Sequence, residues 1–343
     1  MSKKAASILL IYTGGTIGMI KDYKTGALRA FNFDKLLERI PELSHLDCEI
    51  QTISFEEPID SSNMTPDLWV QIAEIIEKSY QEFDGFVVLH GSDTMSYTSS
   101  ALSFMFENLT KPIIFTGSQL PIGDLRTDAK ENLITSIQLA SLKANGKSVI
   151  TEVCLYFEYK LYRANRTTKI NAEHFQAFAS LNYPCLAESG VHLKIHYEDL
   201  LPVNRRKKLK VYKSFNTNVA ILKIFPGITP QVLNAFLNND EIEAVVLETY
   251  GAGNVPTLKW FNACIENAIV NQKVIINVTQ CSGGGVIMGA YETSSHLQKL
   301  GVISGGDITT EAAVCKLMHL LGNNISKKVL KTIFETSLRG EMS

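Results

Sequence analysis

The stretch Ile8-Leu9-Leu10-Ile11-Tyr12-Thr13-Gly14-Gly15-Thr16-Ile17-Gly18 decides the fold of this 343-residue chain. Its continuous apolar run, with β-branched and aromatic residues, reads as a buried strand, and the glycine pair as the sharp turn ending it. The pattern recurs downstream. Phe86-Val87-Val88-Leu89-His90 runs into Gly91-Ser92-Asp93-Thr94, and Ile113-Ile114-Phe115-Thr116 runs into Gly117-Ser118. Helical signals fill the gaps. Thr65-Pro66 marks an N-cap and first helical position, and Leu68, Trp69, Ile72, Ile75, Ile76 and Tyr80 follow at helical spacing. A second helix is predicted over 96–109 and a third leads through Asn132. Short apolar strands alternating with amphipathic helices imply a mainly parallel sheet covered on both faces.

Between 183 and 214 the pattern loosens into irregular or hairpin-like structure, with Pro184, Gly190, Pro202 and the basic run Arg205-Arg206-Lys207-Lys208-Leu209-Lys210. The alternation then resumes, with strands expected at 219–225, 244–247 and 274–278. Helices are expected to start near Thr229-Pro230 and Thr257, and a last pair to fill 311–336. The expected architecture is α/β: a larger N-terminal, mainly parallel (flavodoxin/Rossmann-like) sheet domain over 1–200 and a linker over 201–216. A smaller C-terminal parallel α/β domain follows over 217–343.

Composition bounds the function. Hydrophobic residues make up 45% and charged residues 20%, with a net charge of −2, so no global field draws the chain to nucleic acid or an anionic membrane. The basic run reads as a solvated linker. The apolar run near the N-terminus is too short for a signal-peptide core, and no stretch approaches the length of a membrane span. The six cysteines lack C-x-x-C spacing and read as buried free thiols. His192 and His196 lie four apart, but their segment alternates like a half-exposed strand and no further ligand keeps metal spacing. The chain is expected to be cytoplasmic, without metal or cofactor.

Loops after the carboxyl ends of parallel strands are where ligands bind in open α/β sheets. Thr16 therefore offers a hydroxyl beside backbone N–H groups freed by glycines. A threonine hydroxyl needs assistance to lose its proton, and a carboxylate with an ammonium supplies it. Asp93 and Lys169 are the candidates, each in a polar turn after an apolar strand; spacing alone does not show that they meet. The competing reading makes Ser92, Asp93 and Thr94 a helix cap. Dinucleotide binding is the other alternative. Gly14, Gly15 and Gly18 do not keep G-x-G-x-x-G spacing, and no P-loop motif occurs. The cluster Gly283-Gly284-Gly285 reads as a tight turn.

The motifs Thr13-Gly14-Gly15-Thr16-Ile17-Gly18, His90-Gly91-Ser92-Asp93-Thr94-Met95 and Thr116-Gly117-Ser118-Gln119 together resemble those of the bacterial-type L-asparaginases. The chain is most similar to the cytoplasmic type I enzymes. Further matches are 60–66, 162–169, 250–254 and 277–281, so the resemblance spans essentially the whole chain. It implies hydrolysis of L-asparagine to L-aspartate and ammonia through an acyl-threonine intermediate. Thr16 matches the nucleophile, and Ser92, Asp93 and Lys169 match the family's hydroxyl–carboxylate–lysine group. Asp93 also matches the binder of the substrate's α-amino group, and Ser61, between Asp60 and Ser62, the holder of its α-carboxylate. The Ser92 N–H is the implied oxyanion donor. The resemblance also implies a homodimer or a homotetramer built as a dimer of dimers, in which Asn254 reaches the neighbouring subunit's site.

Three positions depart from the family pattern. Ser92 stands where threonine is usual, keeping the hydroxyl. The expected loop tyrosine beside Gly26 is replaced by Ala27, with Tyr23 as the nearest substitute. An allosteric asparagine site in some type I enzymes uses a threonine, an arginine and a cysteine; Thr168 and Cys281 match, but Glu248 stands for the arginine and would repel the effector's carboxylate. Two further readings compete. One is the asparaginase-like subunit of a tRNA-dependent amidotransferase, which carries an extra N-terminal domain for which the strand at Ile8 leaves no room. The other is a non-enzymatic binding module, which retention of Thr16, Asp93 and Lys169 opposes.

Overall fold

The computed structural model describes residues 5–21, 28–30, 40–289 and 292–343. The chain divides between Lys213 and Ser214 into two compact units. The division falls inside the stretch read as a linker.

The first unit is built on an eight-stranded sheet. Five strands are parallel: β1 (Ala6–Gly14), β2 (Cys48–Ile59), β3 (Gly85–Leu89), β4 (Ile113–Thr116) and β5 (Val153–Phe157), in the order β2-β1-β3-β4-β5. The order reverses at β1, with Leu10 paired to Thr52 on one side and Val87 on the other. Ile8, Leu10 and Tyr12 pack on one face with Val87, Leu89 and Ile114. On the other face Leu9, Ile11, Phe86, Val88 and Phe115 are equally buried. Burial on both faces is why these strands read as unbroken apolar runs.

Three more strands, β6 (Lys160–Arg163), β7 (Ala187–Glu188) and β8 (Lys194–Ile195), extend the sheet antiparallel beyond β5. The β5–β6 hairpin turns through Glu158 (φ 47°) and Tyr159 (φ 68°), both left-handed. Helices α1 (Pro66–Ser79), α2 (Met95–Met105) and α3 (Ala129–Ser141) flank the sheet strands. Thr65 caps α1 with its extended backbone and Pro66 opens it, while the Trp69 ring N–H bonds the Thr98 hydroxyl of α2 at 3.1 Å.

Helix α2 stops four residues before the expected 109. Phe106–Glu107 leave it to pair antiparallel with Lys210–Val211, and Asn108 turns left-handed at φ 64°. The Arg205 guanidinium donates to Ser148 O at 2.7 Å and Thr110 O at 3.1 Å. This part of the basic run is therefore anchored on the first unit.

The second unit is a four-stranded parallel sheet, β9 (Val219–Lys223), β10 (Ala244–Thr249), β11 (Val274–Thr279) and β12 (Ile303–Ser304), in chain order. Helices α4 (Pro230–Leu237) and α5 (Lys259–Val270) cover one face; α5 starts two residues after Thr257. Helix α6 (Glu292–Leu300), which the sequence reading did not anticipate, adds Leu297 to that face. Helices α7 (Thr310–Gly322) and α8 (Lys327–Phe334) cover the other.

Beneath α7 and α8 lies a fully buried ion pair, Lys316 Nζ to Glu341 Oε1 at 2.5 Å. The same ammonium donates to the carbonyls of Phe334 (2.7 Å) and Thr336 (2.8 Å), and the carboxylate accepts the Leu338 and Arg339 N–H groups. Desolvation pulls the Lys316 pKa below its ordinary value against the opposing pull of Glu341. Among the described residues no helix is long and apolar enough to cross a membrane.

Candidate active site

Three turns at the carboxyl ends of β1, β2 and β3 meet backbone to backbone, at the point where the strand order reverses. Gly15 has φ 84° and ψ 170°, a region only glycine occupies comfortably. Its N–H donates to Ile59 O at 3.2 Å. A Cβ at Gly15 would stand 2.5 Å from Gly91 N, and one at Gly91 2.5 Å from Ser61 Oγ. The glycines are thus what lets the turns touch. Thr13 is buried and donates its hydroxyl to Leu89 O at 2.8 Å, locking β1 to β3. Thr16 follows the glycines at the start of a short 3₁₀ turn (Thr16–Gly18) and is half-buried.

After β2, Asp60 Oδ1 accepts the Ser62 N–H at 3.0 Å and the Ser62 hydroxyl at 2.9 Å, and these bonds hold its carboxyl below the usual range. The turn is an Asx-type cap that presents Ser61, itself buried. Thr94 donates its hydroxyl to Ser61 O at 2.7 Å, joining this turn to the one after β3. Thr94 therefore fastens a neighbouring turn, whereas the N-cap position of α2 shows no side-chain cap bond.

The structure answers what spacing left open: Lys169 meets both Ser92 and Asp93. Its ammonium donates to Ser92 Oγ at 2.9 Å and to Asp93 Oδ1 at 2.6 Å. The Lys169 side chain is 19% exposed and that of Asp93 64%, so the ammonium sits inward and the carboxylate faces water. Lys169 lies in the two-residue strand Thr168–Lys169, paired with Phe178–Ala179. The turn before it is pinned by Thr167, whose hydroxyl donates to Ala164 O at 2.7 Å and lies 3.1 Å from Ser96 Oγ of α2. Further back, a buried ion pair between Arg163 Nε and Glu152 Oε2 at 2.6 Å anchors β6.

These turns enclose a cleft of about 360 Å³ lined by Gly15, Thr16, Met19, Asp60, Ser61, Gly91, Ser92 and Asp93. Such a volume fits a small polar molecule. Two groups near it were not singled out from sequence. Gln119 accepts the Ser92 hydroxyl through Oε1 (3.2 Å) while its amide N–H₂ donates to the carbonyls of Ala172 and His174. Asp128 in turn accepts the Gln119 and Leu120 N–H groups. Desolvation nevertheless raises the Asp128 pKa above its ordinary value, against these bonds. The available signal was the third strand–Gly–Ser turn, but only tertiary contact reveals that Gln119 braces Ser92.

Tyr23 lies outside the described residues. Asn254 belongs to the second unit, where it closes a tight turn by exchanging backbone bonds with Tyr250 at 2.8 and 3.0 Å. Of the three residues matched to an allosteric site, Thr168 is in the first unit, and Cys281 and Glu248 are in the second. Cys281 is exposed, against the expectation of buried thiols, which only Cys154 and Cys315 meet. The Glu248 carboxylate takes the Thr310 hydroxyl at 2.7 Å and faces Lys223 at 3.7 Å. Among the described residues no group of three or more His, Cys, Asp or Glu is placed to hold a metal ion.

A hydroxyl, an ammonium–carboxylate pair and backbone N–H groups around one cleft are the parts acyl transfer requires. Comparison with known proteins agrees with that chemistry. Residues 7–201 match the model "Asparaginase, N-terminal", and residues 218–334 match "Glutaminase/Asparaginase C-terminal domain". The chain is 40% identical to L-asparaginase 1 of Escherichia coli K12, covering 100% of this chain and 99% of that protein. It is 33% identical to a glutamyl-tRNA(Gln) amidotransferase component of Thermococcus kodakarensis, over 98% of this chain and 76% of the other. The crystal structure of L-asparaginase I from Vibrio cholerae superimposes with a TM-score of 0.89 at 39% identity, covering 98% of this chain and 99% of that one.

Proposed function

This chain belongs to the asparaginase family and is an amidohydrolase, and we propose the following division of labour in its hydrolysis of L-asparagine to L-aspartate and ammonia. Thr16 Oγ attacks the side-chain amide carbon. The carbonyl oxygen becomes an oxyanion that accepts the Ser92 N–H. Collapse breaks the C–N bond and ammonia leaves with the proton surrendered by Thr16. Water then attacks the Thr16 ester, and aspartate departs as the hydroxyl recovers its proton.

The observation that carries this reading is the Lys169 ammonium bound to both Ser92 Oγ and Asp93 Oδ1 on the cleft that Thr16 lines. A fixed cation beside a hydroxyl relay favours the developing alkoxide and needs no reorganisation during the reaction. Asp93, water-facing and anionic, is suited to the substrate's α-ammonium, and Ser61, with Asp60 and Ser62 shaping its turn, to the α-carboxylate. Tyr23 is assigned to the loop group that approaches Thr16.

The same reading makes the protein a homodimer or a dimer of dimers, with Asn254 supplied across the subunit junction. Six free cysteines support a reducing, cytoplasmic setting. Coverage favours asparaginase over the amidotransferase role: the chain spans 99% of the E. coli asparaginase but 76% of the amidotransferase component. The deciding assay is ammonia release from asparagine and from glutamine by the purified protein and by Thr16→Ala. Near-complete loss in Thr16→Ala is expected; full activity there would overturn the nucleophile assignment.

A further inference from the structure

His90 is a buried ionisable group that the acyl-threonine mechanism does not use. It is 1% exposed, ends β3, and its ring lies edge-on to Phe115 at 6.0 Å. Nδ1 lies 2.7 Å from the carbonyl oxygen of Gly91. A carbonyl can only accept, so Nδ1 carries the proton. Nε2 is buried with no hydrogen-bond partner among the described residues, a place where an N–H would be stranded. The ring is therefore neutral. Burial, opposed only by the Gly91 bond, lowers its pKa to about 4.

The bond matters because of which carbonyl it holds. Gly91 C=O and Ser92 N–H belong to one planar trans peptide and point in opposite directions. Fixing the carbonyl fixes the N–H. No described residue accepts the Ser92 N–H, and Gly91 and Ser92 both line the cleft. The backbone on either side is held as well: His90 N donates to Thr116 O at 2.9 Å, and Gly117 comes so close that a Cβ there would lie 2.3 Å from His90 O.

We propose that His90 is a positioning residue for the oxyanion donor, its neutral ring N–H holding the Gly91 carbonyl so that the Ser92 N–H faces the reacting carbonyl oxygen. This rests on the reading of Ser92 N–H as the oxyanion donor. The bond also polarises the peptide, strengthening its N–H as a donor without adding a charge to the cleft. An imidazolium there would attract the substrate's carboxylate and alter binding; a neutral ring leaves ground-state binding alone.

A crossed pair of variants tests this. His90→Asn places an amide N–H near the Nδ1 position but loses the ring. His90→Leu fills the space but has no donor. Rates are measured per folded active site, counted by the acyl-enzyme burst with asparagine. Positioning predicts that His90→Leu loses about 10-fold or more in kcat with KM within about two-fold, while His90→Asn stays within about three-fold of wild type. A packing role predicts the reverse order. Wild-type kcat in His90→Leu, or an equal fall in both, overturns the proposal. Should His90→Leu not fold, His90→Gln, whose amide reaches the Nε2 position, is expected to show the same kcat loss, and wild-type kcat there is equally fatal. Thr16→Ala in parallel separates the two levels: an active Thr16→Ala overturns the acyl-threonine reading, whereas an inactive one beside an unimpaired His90→Leu overturns only the role of His90.

Discussion

Adding one methyl group at Gly15 should disable the site while leaving most of the fold standing. The Cβ of Gly15→Ala would stand 2.5 Å from Gly91 N and 2.6 Å from Gly91 Cα, against ordinary contact beginning at 3.4 Å. The β1 and β3 turns must therefore separate by about 0.9 Å, the difference 3.4 − 2.5. Neither neighbour is a side-chain tip that could swing away. The backbone at φ 84°, ψ 170° adds strain of about 1–3 kcal/mol in any residue but glycine. Because Thr16 rides on one turn and Ser92 on the other, the separation falls between the proposed nucleophile and the proposed oxyanion donor. A misplacement near 1 Å costs about 100-fold in rate. The assay is kcat by coupled ammonia detection, with urea unfolding to report stability. Gly123→Ala is the control, since a Cβ there meets nothing within 4 Å. Gly15→Ala retaining more than about a tenth of wild-type kcat would refute the claim that the two turns are held in catalytic register by this contact.

Other substitutions probe different parts of the molecule. Lys169→Met should abolish ammonia release almost completely yet shift the urea midpoint little, because the partner Asp93 is largely water-exposed and such pairs contribute about 0–1 kcal/mol; a large midpoint shift would recast Lys169 as structural. Lys316→Met leaves Glu341 buried without its cation and should destabilise by about 3–5 kcal/mol; an unchanged melting temperature would contradict that. The lowered pKa of His90 makes it a proton acceptor in the unfolded chain only. Its contribution is therefore complete above pH 6.5 and is lost as pH falls toward 4. Urea melts at pH 7 and 4.5 should show wild type losing about 2–3 kcal/mol more than His90→Asn over that interval, and equal losses would rule the titration out. Asparagine saturation should be hyperbolic, with Glu248 opposing a bound carboxylate; a sigmoidal curve from purified protein would contradict this.

In the parallel core of the first unit β1, β3 and β4 were legible because each, buried on both faces, had to be apolar throughout and runs into a glycine turn. Strand β2, an edge strand with mostly exposed and polar side chains, and β5, which runs into Glu158 with no glycine, were not read. Nor was the antiparallel edge. Its hairpin turns through Glu158 and Tyr159, left-handed residues without the Asn-Gly signature that would mark such a turn. Strands β7 and β8 are two residues each, too short to show a period. Helix α2 was read too long because its end is set by Lys210–Val211, about a hundred residues away, and no local window contains that pairing. The site divides the same way. Thr16, Ser92 and Asp93 sit in turns that announce themselves, whereas Ser61, after a largely exposed edge strand, was reached only through the family resemblance. The meeting of Lys169 with Asp93, the bracing by Gln119 and the His90 bond depend on which loops the sheet order brings together.

The buried Lys316–Glu341 pair also bears on the order of synthesis. Helix α7 leaves the ribosome with an ammonium destined for full burial, and its counter-charge is encoded 25 positions later. Until residues 338–342 have been made, packing α7 onto the sheet would strand that charge, and leaving α7 unpacked exposes Leu317 and Leu320. The first unit, whose strands are all complete by residue 213, is free to fold earlier. The α7 face of the second unit therefore closes only together with the segment that carries Glu341, so helix and C-terminal segment dock in one step.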